Sequence, residues 1–357
     1  MKPKNTKYFA LKSQSPNIVL LCGGVGGTKL AEGFYHSKYR DNLKIIGNVA
    51  DDQEFHGLWV SPDIDTLTYT LADVINKEQG WGRADESTNT LSALKQLGVD
   101  TWMFLGDKDF ATHIYRTEQR KKGVLPEKIA EAIARQLGVK VPILLPTNDV
   151  IQTRVQTKVQ TVIDTEETWL PFQDYFVKHQ CKPEIKSIEI SGIKQARATN
   201  AALEAIKDAD IIIIAPSNPV VSIAPIIEIP QIKQALQQSS AQVVAVSPFF
   251  KGKTVKGPAD KMMLAMGYEN SNVGLLDFYQ QASGLNEADN LINFLIIDQN
   301  DSADCDHLAL GVKQVMAINT LMNNRQEKIN LAESLMTLTG FAGNPVEQRK
   351  NIAEQYL

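Results

Sequence analysis

Short apolar runs recur along the chain at Ile18–Cys22, Leu43–Gly47, Val141–Leu145, Ile211–Ala215, Val243–Ser247 and Phe294–Asp298, separated by longer stretches of helical spacing. This alternation predicts parallel strands joined by crossover helices. A run such as Ile211-Ile212-Ile213-Ile214 offers no polar face, so it belongs in the middle of a sheet covered on both sides. Between residues 150 and 199 the pattern changes. Thr153-Arg154-Val155-Gln156-Thr157-Lys158-Val159 and Ser187-Ile188-Glu189-Ile190 alternate polar and β-branched side chains, as half-solvated antiparallel strands do. Residues 306–339 return to helical spacing. The expected fold class is α/β, a doubly wound, mostly parallel sheet with a small antiparallel α+β insertion. Its expected parts are a flexible tail at 1–16, a core over 17–149 and 200–325, the insertion over 150–199 and a C-terminal helical segment over 326–357.

The first strand runs into Gly23-Gly24-Val25-Gly26-Gly27-Thr28-Lys29-Leu30 and then into an amphipathic stretch. Strand, glycine turn and helix in this order give the sheet a Rossmann-like start and build an anion site. Glycines let backbone N–H groups approach an oxyanion, and the helix start adds its unpaired amides. The spacing matches neither the dinucleotide fingerprint nor the P-loop, since Lys29 stands at the third glycine position and is followed by Leu30. A phosphate is the expected guest, and a tight turn of purely structural purpose is the alternative.

Turns after the other strands are chemically unusual too, and in open α/β sheets ligands sit beyond the carboxyl ends of the strands. They include Asn48-Val49-Ala50-Asp51-Asp52, Pro216-Ser217-Asn218-Pro219, and a Lys/Gly-rich segment over 251–261 that either neutralises a diphosphate or is a solvated charge run. Ser61-Pro62-Asp63-Ile64-Asp65-Thr66 sets two carboxylates before an apolar helical pattern, where they either cap the helix or bind a hard cation such as Mg²⁺ or accept a proton. Asp107 and Asp109 repeat the arrangement in Leu105-Gly106-Asp107-Lys108-Asp109-Phe110-Ala111-Thr112-His113. His113 reads as a structural hydrogen-bonding residue more readily than as a base. Asn218 either contacts a ligand or satisfies its own backbone.

Bulk properties narrow the classes. The 357 residues, 43% hydrophobic and 22% charged, are those of an ordinary globular protein with a sizeable core. A formal charge of −4 leaves no electrostatic footprint for nucleic acid or an anionic membrane. The three cysteines, Cys22, Cys181 and Cys305, have neither disulfide nor zinc-site spacing, which fits a reducing cytoplasm. The lysine-bearing N-terminal stretch lacks the apolar core of a secretory signal, and no run approaches the roughly 20 apolar residues of a membrane span.

Taken together and in order, Leu-Cys-Gly-Gly-Val-Gly-Gly-Thr-Lys-Leu at 21–30, Ser-Pro-Asp-Ile-Asp-Thr at 61–66, Leu-Gly-Asp-Lys-Asp-Phe-Ala-Thr-His at 105–113 and Ala-Pro-Ser-Asn-Pro at 215–219 resemble the 2-phospho-L-lactate transferase family, the CofD type. Val-Ala-Val-Ser-Pro at 244–248, Lys-Gly-Pro-Ala-Asp-Lys-Met at 256–262 and Asn-Thr-Leu-Met at 319–322 extend the resemblance over about 17–325. It implies an enzyme of coenzyme F-420 synthesis. Such an enzyme moves a phosphorylated three-carbon acid from a guanosine diphosphate-linked donor to the deazaflavin Fo (7,8-didemethyl-8-hydroxy-5-deazariboflavin), releases GMP and uses Mg²⁺. It further implies a homodimer. On this reading Gly23, Gly24, Gly26, Gly27, Thr28 and Lys29 hold the donor phosphates, and Ser217 and Asn218 face the guanosine. Asp63 and Asp65 hold Mg²⁺ or orient the attacking hydroxyl, with Asp65 the first choice for catalysis. Asp65, Asp107 and Asp109 face the acceptor.

Departures limit the transfer of detail. Phe104 stands where many relatives carry a basic residue, and Lys108 replaces a frequent Arg, which keeps the charge but loses the bidentate fork. The donor acid varies in the family between phospholactate, a phosphoenolpyruvate-derived form and phosphoglycerate. The rival readings are a non-catalytic regulator binding a nucleotide sugar or dinucleotide, which leaves Asp63 and Asp65 unexplained, and a hydride-transferring oxidoreductase, whose glycine spacing fails.

Overall fold

The computed structural model describes residues 16–160, 165–254, 257–285, 290–308, 312 and 314–341. The strands are β1 (Ile18–Cys22), β2 (Leu43–Gly47), β3 (Gln53–Phe55), β4 (Leu58–Val60), β5 (Ile143–Leu144), β6 (Gln152–Gln160), β7 (Thr165–Pro171), β8 (Ile185–Ser191), β9 (Ile211–Ile214), β10 (Gln242–Val246), β11 (Phe249–Phe250), β12 (Lys253–Thr254), β13 (Phe294–Asp298) and β14 (Gln314–Ile318). Seven of them form the central sheet, in the order β14-β13-β10-β9-β1-β2-β5. Every pairing in it is parallel. Ile18 lies between Leu43 of β2 and Ile211 of β9, so the most apolar runs are also the innermost. All four isoleucines of β9 are essentially inaccessible, as a strand covered on both faces requires.

The winding changes direction at β1. From β1 the chain proceeds outward through β2 to β5, then returns to place β9 on the other side of β1 and proceeds through β10 and β13 to β14. The carboxyl ends of β1 and β9 therefore open a crevice between crossovers that leave in opposite directions, the usual ligand position of a doubly wound sheet. The glycine turn follows β1 and Pro216–Asn218 follows β9, so both sit at this crevice. Residues 152–191 form a separate antiparallel sheet in the order β7-β6-β8, carried beside the core.

Two sequence expectations shift. The run Val141–Leu145 pairs only as Ile143–Leu144, because β5 is an edge strand with one neighbour. The helical spacing over 306–339 conceals β14, and the long helix of that region is confined to Arg325–Leu338. Gln314-Val315-Met316-Ala317-Ile318 is too short an apolar run for periodicity to separate strand from helix. The helix Arg325–Leu338 packs along α1 (Gly24–His36). There Glu32 receives Lys328 and Arg325 as ionic partners. Residues 1–15, 255–256 and 342–357, including most of the expected tail, Lys256 and the chain's last residues, lie outside the described part. No helix among the described residues is long and apolar enough to cross a membrane.

Candidate active site

A cavity of about 620 Å³ occupies the crevice. Its walls come from the glycine turn, the start of α2 (Pro62–Leu71), the loop around Trp81, residues 103–105, the start of α4 (Asp107–Lys121), the turns after β9 and β10, and Thr320–Asn323. Phe172, Gln173, Phe176 and Val177 of the insertion close another side. The turns that sequence reasoning singled out thus share one chamber with the insertion.

The glycine turn is shaped by two demands. Gly24 has φ +62°, a left-handed conformation that a side chain would strain. Gly26 has its Cα against the Pro216 carbonyl, where a Cβ would collide. Gly23, Gly24, Gly26 and Lys29 line the cavity. Gly27 and Thr28 do not. Gly27 faces Ser217 and Cys22 in the protein, and the Thr28 hydroxyl donates to the Gly24 carbonyl at 2.8 Å. Of the six residues expected at the donor phosphates, these two are thus the ones that the structure places in the body of the turn.

The turns after β1 and β9 are fastened to each other. Ser217 Oγ donates to the Gly23 carbonyl at 2.8 Å and receives the Gly23 N–H at 3.4 Å. Asn218 Oδ1 accepts the N–H groups of Val220 and Val221 at 3.0 and 3.4 Å, capping the short helical turn that follows. Both residues reach the cavity wall, but their side-chain oxygens already serve the backbone.

Asp63 and Asp65, two residues apart on a helix, point away from one another, as that spacing dictates. Asp63 turns to the glycine turn and accepts from Asn48 Nδ2 at 2.9 Å. Asn48 is itself inaccessible and also donates to the Val221 carbonyl. Burial raises the Asp63 carboxyl above its ordinary range, opposed by Asn48 and the Gly24 N–H. Asp51 lies beside it on the cavity wall, pushed well up by burial and then by the charges of Asp63 and Asp52, and its Oδ1 is buried without a hydrogen-bond partner.

Asp65 has a different partner. Arg116 of α4 grips both of its carboxylate oxygens, one of them at 3.0 Å, in a bidentate pair buried on both sides. Asp65, the first choice for catalysis and one of the expected metal ligands, is thus brought to the cavity wall with a guanidinium partner already in place. Arg116 also approaches His113 Nδ1 at 3.1 Å. Since a guanidinium only donates, Nδ1 is the acceptor and the proton of the neutral imidazole is on Nε2. Burial lowers the His113 pKa to about 4.

The second acidic pair diverges likewise. Asp107 is absent from the cavity wall. It accepts from the Ser87 hydroxyl and from the N–H groups of Asn89 and Thr90, at 3.2 and 3.0 Å for the latter two, and so caps α3 (Asn89–Gln96). These bonds, the Ser87 hydroxyl first, hold it well below the usual carboxylate range. Of the three aspartates expected at the acceptor, Asp107 is thus the one that the structure does not bring to the cavity. Asp109 does line the cavity, and burial, then Glu86 and Asp65, push it up to about 7. Nearby, Trp81 and Phe104 meet edge to face with centroids 5.7 Å apart, and across the chamber Phe172 and Phe176 are stacked at 5.4 Å.

Sequence reasoning missed Arg116, Glu86 and the aromatic contribution of the insertion, though it named Asp51 as part of the turn after the second strand. The signal available for Arg116 was its i, i+3 spacing from His113 on a helix. Nothing local marked Phe172 or Phe176.

With the crevice built from these motifs, one comparison decides the family: residues 18–333 match the family model described as 2-phospho-L-lactate transferase CofD. The chain belongs to that family. It is similar to the 2-phospho-L-lactate transferase of Methanococcoides burtonii, 32% identical over 322 residues that cover 90% of this chain and 99% of the relative. It is equally similar to the phosphoenolpyruvate transferase of Streptomyces coelicolor, 34% identical over 322 residues, covering 90% and 97%. A crystal structure of a upf0052 family member from Bacillus halodurans shares the fold, with a TM-score of 0.57 at 16% identity, covering 91% of this chain and all of that one. The chain is thus a CofD-type transferase on a Rossmann-like sheet.

Proposed function

We propose that this CofD-type transferase moves a phosphorylated three-carbon acid from a guanosine diphosphate-linked donor to the terminal ribityl hydroxyl of Fo, releasing GMP. The observation that carries the reading is the single chamber at the switch point, which joins a glycine turn suited to phosphates to a lobe walled by Trp81 and Phe104 and suited to a planar ring. The donor diphosphate lies along Gly23, Gly24 and Gly26 with Lys29 beside it. Fo enters the aromatic lobe and extends its ribityl chain toward Asp63.

Phosphoryl transfer of this kind rests on positioning and charge neutralisation. The hydroxyl oxygen bonds to the phosphorus that bears the acid, the bond from that phosphorus to the bridging oxygen opens with its electron pair staying on the oxygen, which departs as part of GMP, and the hydroxyl proton is released to solvent. Among the described residues no group of three His, Cys, Asp or Glu side chains could hold a metal. Asp51 and Asp63 nevertheless fit Mg²⁺, because two adjacent buried carboxylates, one with an orphaned oxygen, lie where donor phosphates would complete an oxygen shell. When bound, the ion would neutralise charge on the phosphates. Arg116 neutralises Asp65 and keeps it from repelling the donor. A homodimer in the cytoplasm accompanies this reading.

The relatives' two names leave the acid open, and the donor pocket decides it by a few contacts. The test counts GMP against Fo by chromatography after incubation with Mg²⁺, Fo and a guanosine diphosphate-linked acid. Equal amounts of GMP formed and Fo consumed support transfer. GMP formed without loss of Fo would make the protein a donor hydrolase instead.

A further inference from the structure

Asp109 and Glu86 converge on Gly82 at the edge of the aromatic lobe. A carbon placed at the Cβ position of Gly82 would lie 3.6 Å from Asp109 Oδ2 and 3.8 Å from Glu86 Oε1, so two carboxyl groups border the same small space. Their surroundings differ. Glu86 stands behind the cavity wall and accepts two backbone N–H groups, from Arg83 at 2.7 Å and from Asp109 at 2.9 Å. Asp109 is 6% exposed and forms part of the wall beside Leu105, Phe104 and Trp81. Burial first, and then the neighbouring Glu86 carboxylate, disfavours the ionised form of Asp109.

We infer that Asp109, backed by Glu86, binds its ligand as a neutral carboxylic acid and serves as the hydrogen-bond donor by which the aromatic lobe recognises a carbonyl oxygen or unprotonated ring nitrogen of a planar heteroaromatic ligand. The identity of that ligand as Fo rests on the proposed function; the proton on Asp109 does not. The groups facing Asp109 are consistent with it. Arg83 and Glu86 come from the preceding loop, and Asp65 and Tyr69 from α2. On α4 itself, His113 is neutral and Arg116 is committed to Asp65. Lys108 donates to the Ala84 carbonyl, away from the pair. The opposing charge of Arg83 is outweighed by burial and by Glu86, and the carboxyl is pushed up to about 7. A donor at this point distinguishes an oxidised ring edge, rich in acceptors, from an apolar aromatic of similar size.

Two measurements test this, and they fail independently. The carboxyl ¹³C shift of Asp109, assigned by its loss in Asp109→Asn, titrates near pH 7 in the ligand-free protein and at lower pH in Glu86→Gln. A titration below pH 5 in the wild type would overturn the inference whatever the ligand. Fo binding is then measured by fluorescence across pH 5.5–8.5. Dividing wild-type by Asp109→Asn dissociation constants removes Fo's own ionisation. That ratio should rise above about pH 7 by up to about tenfold per unit as the acid is lost. Asp109→Asn keeps an N–H donor and binds Fo with wild-type affinity at pH 6, whereas Asp109→Ala loses about 3- to 10-fold. Equal losses in Asn and Ala, or a flat ratio, would overturn the donor role. Failure of Fo to bind the wild type at any pH would remove the proposed function, and the carbon titration would still decide the pair.

Discussion

At the scale of single residues, the site turns on which way neighbouring carboxylates point. Asp63 and Asp65, like Asp107 and Asp109, are two residues apart in a helical first turn, and the side chains of such pairs do not face each other. That rule is legible in the sequence once the helix is granted. What is not legible is the partner each carboxylate meets, because Arg116 lies 51 positions from Asp65 and only folding of α4 over α2 joins them. The buried pair sets a prediction. Asp65→Asn leaves Arg116 charged and uncompensated, and should lower stability by about 3–5 kcal/mol in denaturant unfolding. The double change Asp65→Leu with Arg116→Met should recover much of that loss, and a double variant as unstable as the sum of its parts would remove the coupling. Asp63→Asn, by contrast, should leave stability within about 1 kcal/mol and abolish most transfer. Turnover matching wild type would exclude Asp63 from the reaction.

At the scale of elements, the strand, glycine turn and helix were readable because a buried strand, positive φ and a helix start each leave their own mark. The reason for each glycine was less so. Gly24 is required by its backbone angle and Gly26 by a carbonyl from a turn nearly two hundred residues away, so both serve geometry within the protein as well as any phosphate. Gly26→Ala should therefore push α1 off Pro216 and destabilise by about 1–3 kcal/mol, while weakening GDP binding measured by calorimetry. A variant that binds GDP poorly at unchanged stability would place the glycine's importance on the ligand side alone. The strand β14 escaped periodicity because one exposed and four partly buried residues at a sheet edge carry the same polarity pattern as a helix turn.

At the scale of the molecule, the order of apolar runs was enough to indicate a doubly wound sheet, and the switch point then located the chamber before any side chain was placed. Residues brought in by the insertion were hidden, since Phe172 and Phe176 reach the chamber through tertiary docking that no local spacing records. The buried network has a global consequence as well. His113 titrates near 4 in the folded protein, below its ordinary 6.5, so between these values the unfolded chain binds the additional proton. Stability should fall as pH drops from 6.5 toward 4. His113→Asn, whose Oδ1 can still accept from Arg116, should flatten that part of the profile in thermal unfolding. An unchanged slope would show that His113 is not a source of it.

The central claim, that the chamber joins a guanosine diphosphate-linked acid to Fo, is tested most directly by mass spectrometry. The purified protein would be given Mg²⁺, Fo and the lactate-, enolpyruvate- and glycerate-bearing donors in separate reactions. The expected result is a product with the mass of Fo plus one phosphorylated acid, formed from at least one donor and lost in Asp63→Asn. No product from any donor, in a protein that binds both GDP and Fo, would contradict it.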